Sequence, residues 1–335
     1  MGKERVKNDI FWKVLLYIFK TTGHKFTGRK TTGRKNYARI IMAGILLFLS
    51  GCDNSSSEKD IYNPQFTNRP QLTLNQYTIG VHPLHNPKRL EEVFGPVADY
   101  LSRNIKGANF RIEASRDYAA YDKKLYAGRF EFALPNPYQT VNSLQHGYRV
   151  FGKMGDDHNF RGLILVRKDS GIEKVTDLKG KAVSFPAPTA LAATMMPQYY
   201  LQENGLEVMK DIEIRYVGSQ ESSIMNVFLG NTSAGATWPP PWRLLSSERP
   251  ELKAELVPIW ITEALPNNGL VVRSDVPEEL VNQVSNLIFK LDEDKEGRKI
   301  LQAMELSRFE AATNNTYQPV VEFLEKFSKK VRPLK

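Results

Sequence analysis

From about residue 77 onward, the chain alternates short runs, in which every second residue is apolar, with longer stretches in which apolar residues recur every three or four positions. The first pattern is typical of a half-buried strand and the second of an amphipathic helix. Tyr77–Val81 has the strand pattern, and a helix is predicted after it, with Asn86 as its N-cap and Pro87 in its first turn. Repetition of this order predicts an α/β fold with a largely parallel sheet.

Two nearly continuous apolar runs, Gly162–Val166 and Gly269–Val272, enclose a second series of predicted strands and helices, and an arginine follows each run. Such runs are typical of strands that are buried on both faces. We interpret them as the points at which the chain leaves a first lobe and returns to it. The predicted first lobe is residues 73–168 with 269–335, and the predicted second lobe is residues 169–268.

Basic residues are concentrated at the start of the chain, which changes the meaning of the formal net charge of +9. Residues 1–51 contain 11 basic and 2 acidic residues, whereas the remaining 284 residues contain 35 of each. A neutral body has no surplus of Lys and Arg with which to hold phosphate backbones. We therefore expect no binding to nucleic acid.

An uncharged apolar run, Ile40–Leu49, follows the basic cluster and ends at Leu49-Ser50-Gly51-Cys52, which holds the only cysteine of the sequence. The run has the length of a signal-peptide core and is short for a membrane span. With the small residues before Cys52 it forms a lipobox, the pattern of bacterial lipoprotein signals. The alternative interpretation is a lone buried cysteine after a core helix.

The lipobox interpretation divides the start of the chain into two parts. Residues 1–51 are then a basic leader with a signal peptide, and residues 52–72 are a flexible polar tether. Cys52 becomes the mature N-terminus and carries fatty-acid chains such as palmitate. We therefore expect a body that is anchored by lipid to the cell membrane on its extracytoplasmic, periplasmic face.

Motifs for catalysis are missing from the sequence, which has no phosphate-binding P-loop, no paired-cysteine metal pattern and no nucleophile elbow. We therefore expect no catalytic residues, no cofactor and no metal, and a protein that is not an enzyme. His82 and His85 stand three residues apart in a Pro-containing turn. We favour polar loop residues or ligand contacts over a metal site for this pair.

Four loops are candidate binding sites, and the first three of them follow predicted strands, where α/β folds place such sites. Phe185–Leu191 enters a helix whose free N–H groups favour an anion, and Thr189 is expected either to cap this helix or to donate its hydroxyl to a ligand. The other loops are Leu134–Tyr138, Val217–Ser222 and Ala236–Trp242. The last loop is predicted to be a stiff polyproline piece that either packs on the surface or forms a pocket wall.

The order of these motifs resembles the phosphate, phosphite and phosphonate substrate-binding proteins of ABC importers, which are class II periplasmic binding proteins. The resemblance runs from about Tyr77 to about Leu324, and its motifs are Ile79-Gly80-Val81-His82-Pro83, Phe94–Leu101, Asp117-Tyr118-Ala119-Ala120 and Leu163–Lys181. It implies two α/β lobes, each a mixed sheet flanked by helices, joined by two crossover hinge strands. The lobes are expected to close on a ligand in the cleft between them.

The resemblance also implies which residues bind the ligand. Tyr118 and Tyr138 match the aromatic residues that face the ligand, and Thr189 with the N–H of Ala190 matches the anion site. Gln220 stands where the family often has His. Trp238 stands at about the position where the family has an acidic residue that can hold a ligand's amine. This change from a carboxylate to an indole argues against an aminoalkylphosphonate. With the loop residues of the first lobe, the predicted ligand-binding residues are His82, Tyr118, Asn136, Tyr138, Thr189, Ala190, Gln220 and Trp238.

These features predict a monomeric, lipid-anchored solute-binding protein of an ABC importer. Its ligand is expected to be a small oxyanion such as phosphate, phosphite or a phosphonate, which it delivers to a membrane permease. The alternative from another class is a ligand-sensing protein that signals to a membrane sensor kinase and does not feed a permease.

Overall fold

The computed structural model describes residues 74–334, whose strands form two separate mixed sheets. The leader, Cys52 and the tether lie outside the described residues. The strands of the first sheet are β1 (Asn75–Val81), β2 (Ala108–Glu113), β3 (Phe132–Leu134), β4 (Tyr148–Met154), β10 (Gly269–Arg273) and β11 (Phe309–Ala311). Their order across the sheet is β11-β4-β10-β3-β1-β2. β1 pairs in parallel with β2 and β3, whereas β10 and β11 are antiparallel to their partners.

The strands of the second sheet are β5 (Leu163–Arg167), β6 (Ala182–Phe185), β7 (Glu213–Tyr216), β8 (Ala234–Thr237) and β9 (Leu256–Ile261). Their order across the sheet is β7-β6-β8-β5-β9. β6 is parallel to β7 and β8, and β5 is antiparallel to β8 and β9. Two mixed sheets, each with helices, confirm the predicted α/β class. The chain passes between the sheets twice, through residues 155–162 and 262–268.

The predicted boundary after residue 168 lies too far along the chain. β5 pairs with β8 and β9, so it belongs to the second sheet and not to the first lobe. The apolar run predicts that this strand is buried, which is confirmed, but burial does not reveal which sheet contains it. The return to the first sheet is complete at Gly269, where β10 begins.

Helices cover both sheets and bury their apolar faces against them. In the first lobe these are α1 (Pro87–Asn104), α2 (Tyr118–Tyr126), α3 (Pro137–Ser143), α9 (Glu278–Ile288), α10 (Lys295–Ala303) and α11 (Gln318–Lys330). In the second they are α4 (Met196–Glu203), α5 (Val208–Asp211), α6 (Gln220–Phe228), α7 (Pro239–Glu248) and α8 (Pro250–Glu255). The side chain of Asn86 accepts from the backbone N–H of Arg89 at 3.0 Å, which confirms the predicted N-cap of α1. Within residues 74–334, no helix is both long and apolar enough to span a bilayer.

The prediction of a polyproline piece after Trp238 is wrong, because Pro239, Pro240 and Pro241 form the first turn of α7. A proline in the first turn costs little, since the N–H that it lacks has no partner within the helix. Three prolines in succession therefore begin this helix. They also leave the first turn of α7 without backbone donors.

Candidate ligand-binding site

Loops from both lobes meet in one small cavity. In the first lobe they follow β1, β2 and β3, and in the second they follow β6, β7 and β8. Because these strands are parallel within each sheet, their carboxyl ends lie at one edge, where α/β folds place binding sites. The residues that line the cavity are His82, Tyr118, Asn136, Phe160, Ala190, Leu191, Ala192, Ala193, Gln220, Trp238 and Asn268.

The cavity is narrow and its lining is neutral. Its volume of about 10 Å³ corresponds to one water molecule, so a larger ligand does not fit in this conformation. None of the lining residues is Lys, Arg, Asp or Glu. An anion bound here is therefore held by dipoles and hydrogen bonds. In the described part of the chain, no group of three or more His, Cys, Asp or Glu side chains is placed to hold a metal ion.

Six of the eight predicted residues line the cavity, namely His82, Tyr118, Asn136, Ala190, Gln220 and Trp238. Tyr138 and Thr189 are outside the lining. The ring of Tyr138 is buried in an apolar cluster that also contains much of the cavity lining, and its burial raises the pKa of its hydroxyl although Asn142 opposes this shift. Two of the predicted contacts are thus displaced from the cavity.

The anion donors expected at Thr189 and Ala190 are already used within the protein. The hydroxyl of Thr189 lies 3.4 Å from Asp122 Oδ2 and donates to it, so Thr189 does not cap the helix. The backbone N–H of Ala190 donates to the carbonyl of Ala187 at 3.2 Å. In this structure neither the Thr189 hydroxyl nor the Ala190 N–H is therefore free to bind a ligand.

The helix that follows offers the donors that remain. It begins with a π-helical turn, Leu191–Met195, which continues directly into α4. The first N–H groups of a helix have no acceptor within it. Here they belong to Leu191, Ala192 and Ala193, all of which line the cavity. A helix N-terminus with free N–H groups is a favourable site for an anion.

The π turn has a physical cause in Pro197. In an α-helix Pro197 would remove one hydrogen bond and press its ring against the carbonyl of Ala193. The chain instead widens, and the N–H groups of Met195 and Met196 reach the carbonyls five residues back, those of Ala190 and Leu191. The proline thus sets the conformation of the turn at the cavity.

His82 is held in one orientation at the end of β1. Its Nδ1 lies 2.8 Å from the backbone carbonyl oxygen of Leu134, which only accepts, so Nδ1 carries a proton. The side chain is buried, and burial lowers the pKa of the imidazole from 6.5 to about 4 although the bond to Leu134 opposes this shift. His82 is therefore neutral at pH 7, and the other ring nitrogen, Nε2, is an acceptor.

Tyr118 and Gln220 come from different lobes and lie close together inside the site. Burial raises the pKa of the Tyr118 phenol, and the side chain of Gln220 opposes this shift. Gln220 Oε1 accepts from the hydroxyl of Thr237 at 3.2 Å, which fixes the amide within the second lobe. Trp238 packs edge-on against Phe160, with 5.5 Å between the ring centroids.

Asn136 links the two lobes by a hydrogen bond. Its Oδ1 caps α3 by accepting from the N–H of Gln139 at 3.1 Å, and Gln139 Oε1 accepts in return from the N–H of Asn136. Its Nδ2 donates to the carbonyl of Thr189 at 3.0 Å. The other end of the Gln139 amide donates to Asp122 at 2.5 Å. One polar network therefore reaches from α3 to the loop after β6.

Sequence reasoning missed Phe160, Asn268 and the helix residues 191–193. Phe160 and Asn268 lie in the two segments that connect the sheets, and the predicted boundary after residue 168 did not identify the first of these segments. Asn268 is fully buried, and in the described residues its Oδ1 has no hydrogen-bond partner. A polar pair, Asn267-Asn268, directly before an apolar strand was the signal that could have identified it.

Comparison with known sequences identifies relatives of this chain. The profile of a family described as "ABC transporter, phosphonate, periplasmic substrate-binding protein" matches residues 79–317. The probable ABC transporter phosphite binding protein PhnD1 of Prochlorococcus marinus is 24% identical over 204 residues, which cover 57% of this chain and 67% of that protein. The tetrathionate sensor histidine kinase TtrS of Salmonella typhimurium is 22% identical over 207 residues, which cover 59% of this chain but 32% of the kinase.

Solved structures share the two-lobed fold. A binding protein component of an ABC phosphonate transporter from Pseudomonas aeruginosa has a TM-score of 0.71 at 18% identity, with 77% of this chain and 88% of that chain covered. PhnD1 of P. marinus in complex with methylphosphonate has a TM-score of 0.70 at 20% identity, with 76% and 98% covered. Because the family profile spans most of the sequence, this chain belongs to the periplasmic substrate-binding proteins of phosphonate ABC transporters.

Proposed function

We propose that this protein binds a small phosphorus oxyanion, such as phosphite or methylphosphonate, between its lobes and delivers it to an ABC permease without transforming it. The helix N-terminus at residues 191–193, which faces the cavity, is the observation that supports this proposal. Its free N–H groups are suited to anion oxygens. The relatives named for phosphite and for methylphosphonate support the same class of ligand.

Binding is tested by thermal unfolding of the purified chain with phosphite, methylphosphonate, phosphate or sulfate. A ligand at 100 times its Kd adds about 2.7 kcal/mol to the unfolding free energy, which is a clear shift in Tm. We expect phosphite or methylphosphonate to produce this shift. Absence of a shift with all four anions would overturn the proposal.

A substitution at Ala190 tests the position of the anion. Ala190 stands at the N-cap of the π turn, and no side chain caps this turn. In Ala190→Asp the new carboxylate accepts from the free N–H groups, stabilises the helix and repels an anion. We expect the affinity for the bound anion to fall by at least 100-fold while Tm without ligand is maintained. Ala190→Asn, of similar size but without the charge, is the control and is expected to lose less.

A second candidate function is ligand sensing, which the similarity to the tetrathionate sensor histidine kinase favours. A sensing protein would report ligand binding to a membrane kinase and leave uptake unchanged. Deletion of the gene separates the two functions. Loss of uptake of labelled methylphosphonate supports delivery to a permease, whereas unchanged uptake with an altered transcriptional response supports sensing.

We further propose that Cys52 carries the lipid that attaches the protein to the membrane. The support is the lipobox Leu49-Ser50-Gly51-Cys52, which follows a basic cluster and an apolar run. Labelled palmitate is expected to enter the wild-type protein, and Cys52→Ser is expected to be unlabelled and released from membranes. A mutant that stays in the membrane fraction would contradict the anchor.

We also propose that the protein is a monomer. The molecular mass of the Cys52→Ser protein, measured by light scattering, tests this proposal.

A further inference from the structure

One cavity-lining group is unsuited to an oxyanion, and it indicates the chemistry of the ligand. His82 Nδ1 donates to the carbonyl oxygen of Leu134 at 2.8 Å, which assigns the proton of the neutral ring to Nδ1. Nε2 is then a lone-pair acceptor. The described residues provide no hydrogen-bond partner for Nε2, and His82 lines the cavity. A fully deprotonated oxygen in contact with Nε2 would set one lone pair against another.

The surroundings of His82 favour this neutral form. The rings of Tyr118 and Tyr121 pack edge-on against the imidazole, with centroid distances of 6.2 and 6.4 Å. Burial raises the pKa of both phenols, so they bring no negative charge to stabilise an imidazolium. His85, the next histidine along the same loop, is also buried, and burial together with the charge of Arg89 lowers its pKa to about 3. A neutral acceptor therefore faces the cavity.

A second acceptor lines the same cavity. Asn268 Oδ1 is buried without a partner in the described residues, while the Nδ2 of the same amide lies 3.4 Å from Met154 Sδ. A buried acceptor without a hydrogen bond destabilises the protein, so a ligand that donates a hydrogen bond to it gains binding free energy. The residues that line the cavity thus include the helix end at 191–193, with its N–H groups, and two residues with unpaired acceptors, His82 and Asn268.

We propose that His82 selects an oxyanion that carries a proton, and that the ligand binds as its monoanion with a P–OH group donating to His82 Nε2. The proposal rests on the proposed binding of a phosphorus oxyanion. The unprotonated oxygens then face the N–H groups of the helix end, and the hydroxyl faces the histidine. A monoanion without a hydroxyl leaves Nε2 unpaired and is rejected. Sites built to hydrogen-bond a ligand hydroxyl discriminate strongly against analogues that lack it.

Methylphosphonate and methanesulfonate test this proposal, because they have nearly the same shape and, in mildly acidic buffer, the same single charge. Only the phosphonate monoanion has a hydroxyl. Titration calorimetry on the full-length protein is expected to give methanesulfonate an affinity lower by about 100-fold or more. Equal affinities would overturn the role of His82 and leave the proposed function standing. If neither anion bound, the proposal for His82 would fall, and the proposed function would fall with it only if phosphite, phosphate and sulfate also left Tm unchanged.

The variant His82→Asn ties the selectivity to this residue. Its amide nitrogen can replace Nδ1 as the donor to the carbonyl of Leu134, whereas its oxygen, the remaining acceptor, ends short of the position of Nε2. We expect the affinity for methylphosphonate to fall by about 10- to 100-fold and that for methanesulfonate to stay nearly constant. His85→Asn is the matched control, because His85 is equally buried but lines a different cavity, and its selectivity is expected to equal wild type.

Two results would overturn the proposal even if the phosphonate is preferred. The first is a His82→Asn protein that keeps the full selectivity. The second is binding of methanesulfonate with uptake of one proton, measured by calorimetry in two buffers of different ionisation enthalpy. Proton uptake by this ligand would show that His82 becomes an imidazolium donor.

Discussion

The Nδ2 of Asn136 donates to the backbone carbonyl of Thr189 at 3.0 Å and thereby ties the loop after β3 to the loop after β6. The same side chain caps α3 through its Oδ1. One residue therefore stabilises a helix within the first lobe and a contact with the second. These two roles use different atoms of the amide, so substitutions can separate them.

Asn136→Asp is expected to keep the cap and lose the link between the lobes, because a carboxylate accepts but does not donate. Asn136→Ala loses both, and its unfolding free energy is expected to lie at least about 1 kcal/mol below that of the wild type. Both variants are expected to be less closed than the wild type, with a larger radius of gyration in small-angle X-ray scattering. An Asp variant as compact as the wild type would show that this hydrogen bond does not hold the lobes together.

Asp122 predicts a pH dependence of stability. Burial, opposed by the hydrogen bonds from Gln139 and Thr189, raises the pKa of its carboxyl from 3.8 to about 6 in the folded protein. Between these values the folded state binds more protons than the unfolded state, so its stability falls as the pH rises toward 6. The full effect of about two pKa units is at most about 3 kcal/mol.

Asp122→Asn is expected to remove this contribution. The new amide can accept from Gln139 with its oxygen and donate to Thr189 with its nitrogen, so the network stays paired. Urea unfolding across mildly acidic to neutral pH is expected to show a flatter stability profile for the variant. The unfolding free energy of the wild type should fall as the pH rises toward 6, because Asp122 loses its proton. Parallel profiles for both proteins would mean that the folded and unfolded pKa values of Asp122 coincide.

Sequence patterns predict the helices of this fold better than its small-residue strands. α1 was identified because an N-cap, a proline and a regular apolar period coincide at Asn86 and Pro87. β8, Ala234–Thr237, has no bulky residue and was missed. It is fully buried because other residues pack closely against its backbone: a Cβ on Gly235 would lie 2.5 Å from Val227 and 2.6 Å from Ser184 Oγ. Such packing depends on partners that are distant in sequence.

The strand ends predicted the site's loops, but not the orientation of every group in them. His82, Gln220 and Trp238 line the cavity because each directly follows a strand or begins a helix at the common edge. Thr189 lies at the same edge, yet its hydroxyl is taken by Asp122, 67 residues earlier in the chain. Local pattern locates a loop, whereas a long-range partner decides which of its donors stays free.

The backbone at Glu305 is expected to be less strained with glycine at this position. Its φ of 55° lies in the left-handed region, where a side chain costs roughly 1 to 2 kcal/mol. Its carboxylate also pairs with Arg243 of the other lobe at 2.7 Å, a partly exposed contact that contributes at most about 1 kcal/mol. Glu305→Gly relieves the backbone and loses the pair, whereas Glu305→Ala loses the pair alone.

Chemical denaturation is therefore expected to rank the glycine variant above the alanine variant by about 1 kcal/mol. The wild type is expected to fall between them or near the glycine variant. An alanine variant as stable as the glycine variant would mean that the backbone at residue 305 relaxes out of the left-handed region. Because both variants lack the ion pair with Arg243, their difference reports the backbone alone.

Gly80 predicts a steric constraint directly beneath the site. It lies in β1, two residues before His82, and a Cβ at this position would lie 2.3 Å from Cδ2 of the fully buried Phe130 ring. Phe130 stacks on Tyr121 with 5.6 Å between centroids, so it has little room to move. Gly80→Ala is expected to lower the unfolding free energy by about 1 to 3 kcal/mol through overpacking.

Gly95→Ala is the control for this prediction. Gly95 lies in α1, and the atom nearest to an added Cβ is the flexible carboxylate of Glu91 at 3.2 Å. This change is expected to raise the unfolding free energy by roughly 0.5 to 1 kcal/mol. Gly80→Ala combined with Phe130→Leu should recover part of the loss, and a single mutant as stable as the wild type would contradict the close packing of Phe130 on β1.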